Sequence, residues 1–333
     1  MALVKRIAVL TSGGDAPGMN AAIRTVACTA HARGVAVTGI ERGYHGLIHG
    51  ETVELDVRAV DDIVQRGGTI LRSARSNAFM TEEGRAKAVR FLQEQEIGGL
   101  VVIGGDGSFR GALELTRLGF PTVGVPATID NDIACTDASI GFDTAVNTVL
   151  DAINKIKDTA TSHERTFVVE VMGRNSGFIA LWAGLAGGAE SILIPEMPYD
   201  IDEICSRIVH GQRIGKTHSI ILVAEGLDGV LGAEGSESAG FRVGRTIQER
   251  TGFETRITVL GHLQRGGNPS GFDRVLASRL GYEAANLAIE GIGGKMVGLV
   301  HTAIQAFDIE EAIREQKKID PEFYKLAQVL SFG

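Results

Sequence analysis

Short β-branched apolar runs recur along the chain: KRIAVL (5–10), VAVTGI (35–40), GLVVIGG (99–105), PTVGVP (121–126), TFVVEVM (166–172), SIILVAE (219–225), TRITVLG (255–261) and MVGLV (296–300). Between them, residues 20–34, 81–95, 143–158, 202–215, 240–252 and 272–291 carry apolar side chains at helical spacing. Strand–helix alternation of this kind predicts an α/β fold with mainly parallel sheets and helices on both faces. Because the strand runs are apolar throughout rather than alternating, their strands are expected to be buried on both sides. The polar, Gly/Ser-rich stretch LDGVLGAEGSESAG (227–240) reads as a surface loop.

In parallel sheets ligands bind beyond the carboxyl ends of the strands, so the residues after each run are the candidate site. TSGGDAPGMN follows the first, DGS the third, PATIDND the fourth, GRNSG the fifth, Glu225 and a glycine the sixth, and HLQRGG the seventh. Every one of these junctions carries an acid, arginine or histidine, and all but PATIDND combine it with glycine.

Composition narrows the class. A chain of 333 residues is long enough for two domains. Its 44% hydrophobic and 22% charged content is ordinary for a soluble globular protein, and no run approaches a membrane span of ~18 apolar residues. The N-terminal apolar stretch runs into a Gly-Asp turn rather than a cleavage site, so no signal peptide is expected and a cytoplasmic enzyme is the default. Net charge, 33 − 41 = −8, argues against a nucleic-acid footprint but leaves room for local arginine clusters that hold a small anion. Cys28, Cys135 and Cys205 are far apart and odd in number, which predicts neither a disulfide framework nor a zinc site. Glycine is in excess, at 44 residues where the usual ~7% would give roughly half that.

Three junctions suggest phosphate and metal chemistry. TSGGDAPGMNAAIR places Gly13, Gly14 and Gly18 between strand and helix, where backbone N–H groups can cradle phosphate; it is neither a Walker A nor a GxGxxG motif. VVIGGDGSFR repeats the arrangement with Asp106 among glycines. Asp106 reads as a Mg²⁺ ligand, since an acid there repels phosphate unless a metal bridges them, or else as a helix cap. In VPATIDND, Asp130 and Asp132 lie two residues apart. In extended chain both would point to one side and could share the metal site; the alternative is a plain Asn/Asp turn. A carboxylate that takes the proton of an attacking hydroxyl, beside others that organise the metal, is a phosphoryl-transfer arrangement.

LTSGGDAPGMNAAIR, GGT-L-SAR (67–75), VVIGGDGS, TIDND, VEVMGR and TVLGHLQRGG together resemble the bacterial ATP-dependent 6-phosphofructokinases, in order and spacing from about residue 5 to residue 320. The resemblance implies transfer of the ATP γ-phosphoryl group to the 1-hydroxyl of fructose 6-phosphate with Mg²⁺, in a cytoplasmic glycolytic homotetramer, with no nucleic-acid or membrane partner. It implies the phosphofructokinase fold: two Rossmann-like three-layer lobes. Residues 1–141 plus 264–314 would form the larger, nucleotide-binding lobe, and 142–263 plus 315–333 the smaller, sugar-phosphate lobe.

Carried over position by position, Asp130 is the general base, Thr128 contacts the transferring phosphoryl group, Gly13 offers its N–H, and Arg75 neutralises charge. Asp106 and Asp132 hold the metal, while Tyr44, Ser76, Gly107 and Ser108 join Gly13, Arg75 and Asp106 on the ATP side. Met172, Gly173, Arg174, Glu225, His262 and Arg265 match positions that hold fructose 6-phosphate together with Thr128, Asp130 and Asp132, and Arg165 and Arg256 match two arginines that reach its 6-phosphate across a subunit interface. Singly, His262, Arg165 and Arg256 would read as ordinary structural or solvated residues.

Gly107 stands where pyrophosphate-using relatives carry Asp, which favours ATP. Ala127 stands where ATP enzymes carry Gly and pyrophosphate enzymes Lys, and Met80 replaces an arginine near the nucleotide while Arg85 is kept. In the family's effector pocket Arg24, Lys157, Gly188, Glu190, Lys216 and His218 match, but Cys28, Val57 and Ile214 replace cations, so weak or altered regulation is expected. A pyrophosphate-dependent enzyme, another GGDG-type kinase acting on NAD or a lipid, and a catalytically silent regulatory paralogue are the alternative readings.

Overall fold

A computed structural model describes residues 4–231 and 237–330. All eight apolar runs form strands: β1 (Arg6–Ser12), β2 (Ala36–Ile40), β4 (Leu100–Gly104), β5 (Thr122–Pro126), β6 (Thr166–Val171), β8 (Ser219–Ala224), β9 (Thr255–Val259) and β10 (Lys295–Val300). Three further strands, β3 (Thr52–Glu54), β7 (Ser191–Leu193) and β11 (Ala303–Asp308), complete two sheets. One sheet runs β11-β10-β5-β4-β1-β2-β3 and the other β7-β8-β6-β9. Pairing is parallel except at two edges, where β3 and β11 run antiparallel to β2 and β10.

Contacts divide the chain into two units: Met1–Ile129, Ile133–Thr144 and Arg265–Lys317 form one, and Asp130–Asp132, Ala145–Gln264 and Lys318–Gly333 the other. The breaks in this contact division fall at 144/145, 264/265 and 317/318. In addition the three residues Asp130–Asp132 group with the second unit.

In the first unit the period-two alternation of strand side chains builds two buried faces. Ala8, Leu10, Leu100 and Val102 pack with Leu47, Leu92, Phe109 and Leu115. These come from helices Gly43–His49, Glu82–Glu94 and Asp106–Arg117. Helices Met19–Ala32 and Gly271–Ile289 pack on each other and on the same sheet's strands, making the third layer. In the second unit Val168, Ile221 and Val223 pack with Ile204, Ile208, Val243 and Ile247. Helix Phe178–Gly187 packs on β7 and β8.

β4, β5, β6 and β8 are buried along their whole length, as two-sided strands should be. β9 is not: as an edge strand it leaves Arg256 and Val259 exposed. The expected loop at 227–240 is corrected at its two ends, since Leu227–Leu231 is a short helix and Ala239 opens the helix Ala239–Thr251; residues 232–236 lie outside the described residues. Cys205 is buried and Cys28 and Cys135 are half-buried, all three as free thiols. Among the described residues no helix is long and apolar enough to cross a membrane.

Candidate active site

Parallel pairing of β1 with β4 sets Ser12 opposite Gly104, which brings their two glycine-rich exits side by side. Gly13 takes a left-handed φ of 87°, and its carbonyl accepts the Ser73 hydroxyl at 2.7 Å. A Cβ on Gly13 would stand 3.4 Å from Ser108 Oγ, and one on Gly14 would stand 2.6 Å from Arg265 Nη1. Arg265 Nη1 donates to the Asp15 carbonyl at 3.2 Å, so this arginine is seated on the first glycine loop. Gly105 caps helix Asp106–Arg117 without any side-chain bond, leaving the first backbone N–H groups of a twelve-residue helix open to an anion.

Asp106 is the first helical residue, not the cap, and Arg110 donates to its carboxylate from Nε at 3.0 Å and from Nη2 at 3.3 Å. Gly107 has no atom within 4 Å of a would-be Cβ. Ser108 is buried, and its carbonyl accepts the Tyr44 hydroxyl at 2.6 Å. The Tyr44 ring stacks on Phe79 with centroids 4.1 Å apart, and burial pushes its phenol pKa up. Tyr44 therefore holds the second glycine loop in place, with its hydroxyl already committed. Arg75 is exposed with no hydrogen bond or ion pair among the described residues, and Ser76 Oγ accepts the Phe79 N–H at 3.3 Å. Met80 is largely exposed, and Arg85 Nη1 donates to its carbonyl at 2.9 Å.

Beyond β5, Ala127 is fully buried and its N–H donates to the Gly104 carbonyl at 2.9 Å. Thr128 is buried, its carbonyl accepting Ser139 Oγ at 2.7 Å and its Cβ 3.7 Å from a would-be Cβ on Gly105. One sequence expectation fails here. Asp130 and Asp132 are not in extended chain: Ile129 and Asp130 form a turn and Asn131 is left-handed at φ 52°. The period-two argument for a shared side therefore does not apply. A turn accounts better for Asn between two acids, because Asn tolerates that conformation. Asp130 and Asn131 are buried, Asp132 half-buried.

In the second unit Ser176 Oγ donates to the Asp130 carbonyl at 3.0 Å, which ties the TIDND turn to the loop after β6. That loop bends sharply, with Gly173 at φ 145° and Arg174 at φ 55°. Glu225 Oε1 accepts both the Gly173 N–H at 3.3 Å and the Arg174 N–H at 2.8 Å, so half of this carboxylate organises the MGR turn. Met172 N–H donates to Gln264 Oε1 at 3.3 Å, and Gln264 Nε2 donates to the Gly261 carbonyl at 3.0 Å. Sequence reading missed Gln264, although an amide inside HLQRGG was the available signal. His262 is exposed within the 3₁₀ turn Gly261–Arg265. Arg165 and Arg256 meet at Glu254, another residue passed over in the sequence.

Among the effector-type residues, Lys157 Nζ donates to the Gly187 carbonyl at 2.6 Å and lies 3.5 Å from a would-be Cβ on Gly188. Glu190 accepts the Ile220 N–H at 2.5 Å and pairs with Lys216 at 3.8 Å. His218 Nδ1 lies 3.1 Å from Thr161 Oγ1. Arg24 belongs to the other unit.

In class this is an α/β protein with glycine-rich strand-to-helix turns, the place where such folds bind phosphates. The family model described as phosphofructokinase matches residues 6–288. A curated relative from Halothermothrix orenii, named ATP-dependent 6-phosphofructokinase, is 57% identical over 98% of this chain and 100% of its own length. A relative of the same name from Halalkalibacterium halodurans is 58% identical, again over 98% of this chain and all of its own. The solved phosphofructokinase from Saccharomyces cerevisiae superposes with a TM-score of 0.85 at 35% identity, covering 93% of this chain and 45% of that longer one. The chain belongs to the phosphofructokinase family.

Proposed function

We propose that this chain is an ATP-dependent 6-phosphofructokinase, a glycolytic kinase of the cytoplasm that converts fructose 6-phosphate and ATP to fructose 1,6-bisphosphate and ADP. The observation that carries this reading is its end-to-end match to curated enzymes of that name. Gly107 supports the donor assignment: neither a left-handed φ nor a neighbour within 4 Å requires glycine there, so the missing side chain leaves room for a nucleotide.

Asp130 takes the proton of the sugar 1-hydroxyl while that oxygen bonds to the γ-phosphorus and the bond to the ADP oxygen breaks. Thr128 and the Gly13 N–H contact the transferring phosphoryl group, and Arg75, with no other partner among the described residues, neutralises its charge. Asp106 and Asp132 are hard oxygen donors of the kind that hold Mg²⁺ together with substrate phosphates. Mg²⁺ would supply charge neutralisation on the β- and γ-phosphates. Ser76, Gly107 and Ser108 border the nucleotide, and Tyr44 fixes the Ser108 backbone.

Met172, Gly173, Arg174, His262 and Arg265 receive fructose 6-phosphate, and the free oxygen of Glu225 accepts from a sugar hydroxyl. Arg165 and Arg256 serve the 6-phosphate of a neighbouring copy in a homotetramer. A steady-state comparison of donors tests the reading: turnover with MgATP and none above blank with pyrophosphate is expected. Turnover on pyrophosphate alone would replace it with the pyrophosphate-dependent alternative, and inactivity with both would leave the silent paralogue.

A further inference from the structure

The parallel register of β6 and β9 pairs Thr166 with Thr255 and Phe167 with Arg256. Arg165 and Glu254, one residue before each strand, therefore emerge together at the same edge, and the Thr166 N–H donates to the Glu254 carbonyl at 3.3 Å. Glu254 lies between two cations. Arg165 Nε donates to its Oε2 at 2.8 Å, and Arg256 Nη2 donates to its Oε1. Hydrogen bonds from Arg165 first, then the charges of both arginines, hold the Glu254 carboxyl below the usual range, so it stays ionised as the clip requires.

Two guanidinium groups this close repel each other, and a carboxylate offering one oxygen to each removes that penalty. The donor count decides what the arrangement can do. A guanidinium has five N–H donors, and Glu254 takes one from each arginine, leaving the rest of both forks for an outside anion. An Arg165 pinned through Nε also presents its Nη face in a fixed direction.

We propose that Glu254 is a positioning residue for sugar-phosphate binding: it clips Arg165 and Arg256 into one preformed fork for a phosphate dianion. This rests on the assignment of the two arginines to the 6-phosphate under Proposed function. The clip acts on affinity, because ordering two long side chains beforehand removes a cost that binding would otherwise bear.

The test is steady-state kinetics on the full-length enzyme, in which Glu254→Ala is expected to raise KM for fructose 6-phosphate by about 5-fold or more, as the ordering cost of two loosened side chains implies. Its kcat and its KM for ATP should stay within about two-fold, and Glu254→Gln, which keeps one acceptor oxygen, should recover part of the loss. In an Arg165→Ala, Arg256→Ala background the Glu254→Ala effect should vanish, since its targets are gone. Unchanged or lower KM in Glu254→Ala overturns the proposal and makes Glu254 a bystander or a competitor of phosphate. Should Arg165→Ala and Arg256→Ala themselves leave that KM unmoved, the assignment beneath the proposal fails instead.

Discussion

Glycine at 107 is demanded by neither backbone nor packing, since its φ is not left-handed and nothing lies within 4 Å of a would-be Cβ. A role in nucleotide binding can therefore be tested there apart from the fold. Gly107→Asp should therefore fold with unchanged thermal stability while raising KM for ATP by about ten-fold or more, because a carboxylate would face the nucleotide's phosphates. A melting temperature that falls with activity would assign the glycine to the fold. Asp130 allows a second test. Asp130→Asn keeps the side-chain shape and should lower kcat by the ~10² to 10⁴ that a general base contributes, with KM for fructose 6-phosphate little changed. Near-normal kcat would move the base elsewhere. Both residues stand out in the sequence as candidates because long local motifs contain them. Glu254 and Gln264 do not, because one partner of each, Arg165 and Met172, is 89 and 92 residues away.

Elements followed the same rule of visibility. The buried parallel strands announced themselves as unbroken apolar runs, whereas β3 and β7 have three residues each and β11 shows neither a buried face nor an apolar run. Helix Phe178–Gly187, FIALWAGLAG, is apolar nearly all round, so no periodicity marked it as helical. The start of helix Phe142–His163 is held from a distance: buried Asp273 accepts the Gly141 N–H at 2.9 Å, the Thr144 N–H at 2.8 Å and the Thr144 hydroxyl at 2.5 Å. Asp273→Ala should cost about 3 kcal/mol or more in chemical denaturation, since several bonds to a charged acceptor are lost. Burial is the main influence on this carboxyl and raises its pKa, against the lowering effect of the bonds from Thr144 and Gly141. A folded pKa above the unfolded one means the native state holds the proton more tightly. The stability this group contributes is then greatest below the ordinary carboxylate range near ~3.9 and is lost as pH rises through the folded pKa. Compared with Asp273→Asn, the native protein's advantage should shrink with rising pH, and an advantage that grows would show the hydrogen bonds outweighing burial.

Regulation is a property of the whole molecule, and the family resemblance implies an effector pocket in which Val57 and Ile214 replace cations. Val57 and Ile214 are 60% and 67% exposed, so each offers the solvent an apolar side chain rather than a charge. Lys157 is engaged by the Gly187 carbonyl, and Lys216 faces Glu190, whose carboxylate also holds the Ile220 N–H. Every charge-assisted bond missing from a polyanion site forfeits ~1.5 to 3 kcal/mol, so losing even two moves an effector's affinity by well over ten-fold. Titrating ADP and phosphoenolpyruvate against initial rates at sub-saturating fructose 6-phosphate should accordingly show shallow responses, with the half-saturation point for the sugar phosphate moving by less than about three-fold at effector concentrations that keep ATP saturating. Val57→Arg with Ile214→Lys should deepen the response, because both positions are exposed enough to take a charged side chain without repacking the core. Strong sigmoidal inhibition in the unaltered enzyme would mean that Arg24, Lys157, Lys216 and His218 suffice to hold the effector, and that the three replaced cations never contributed to its binding.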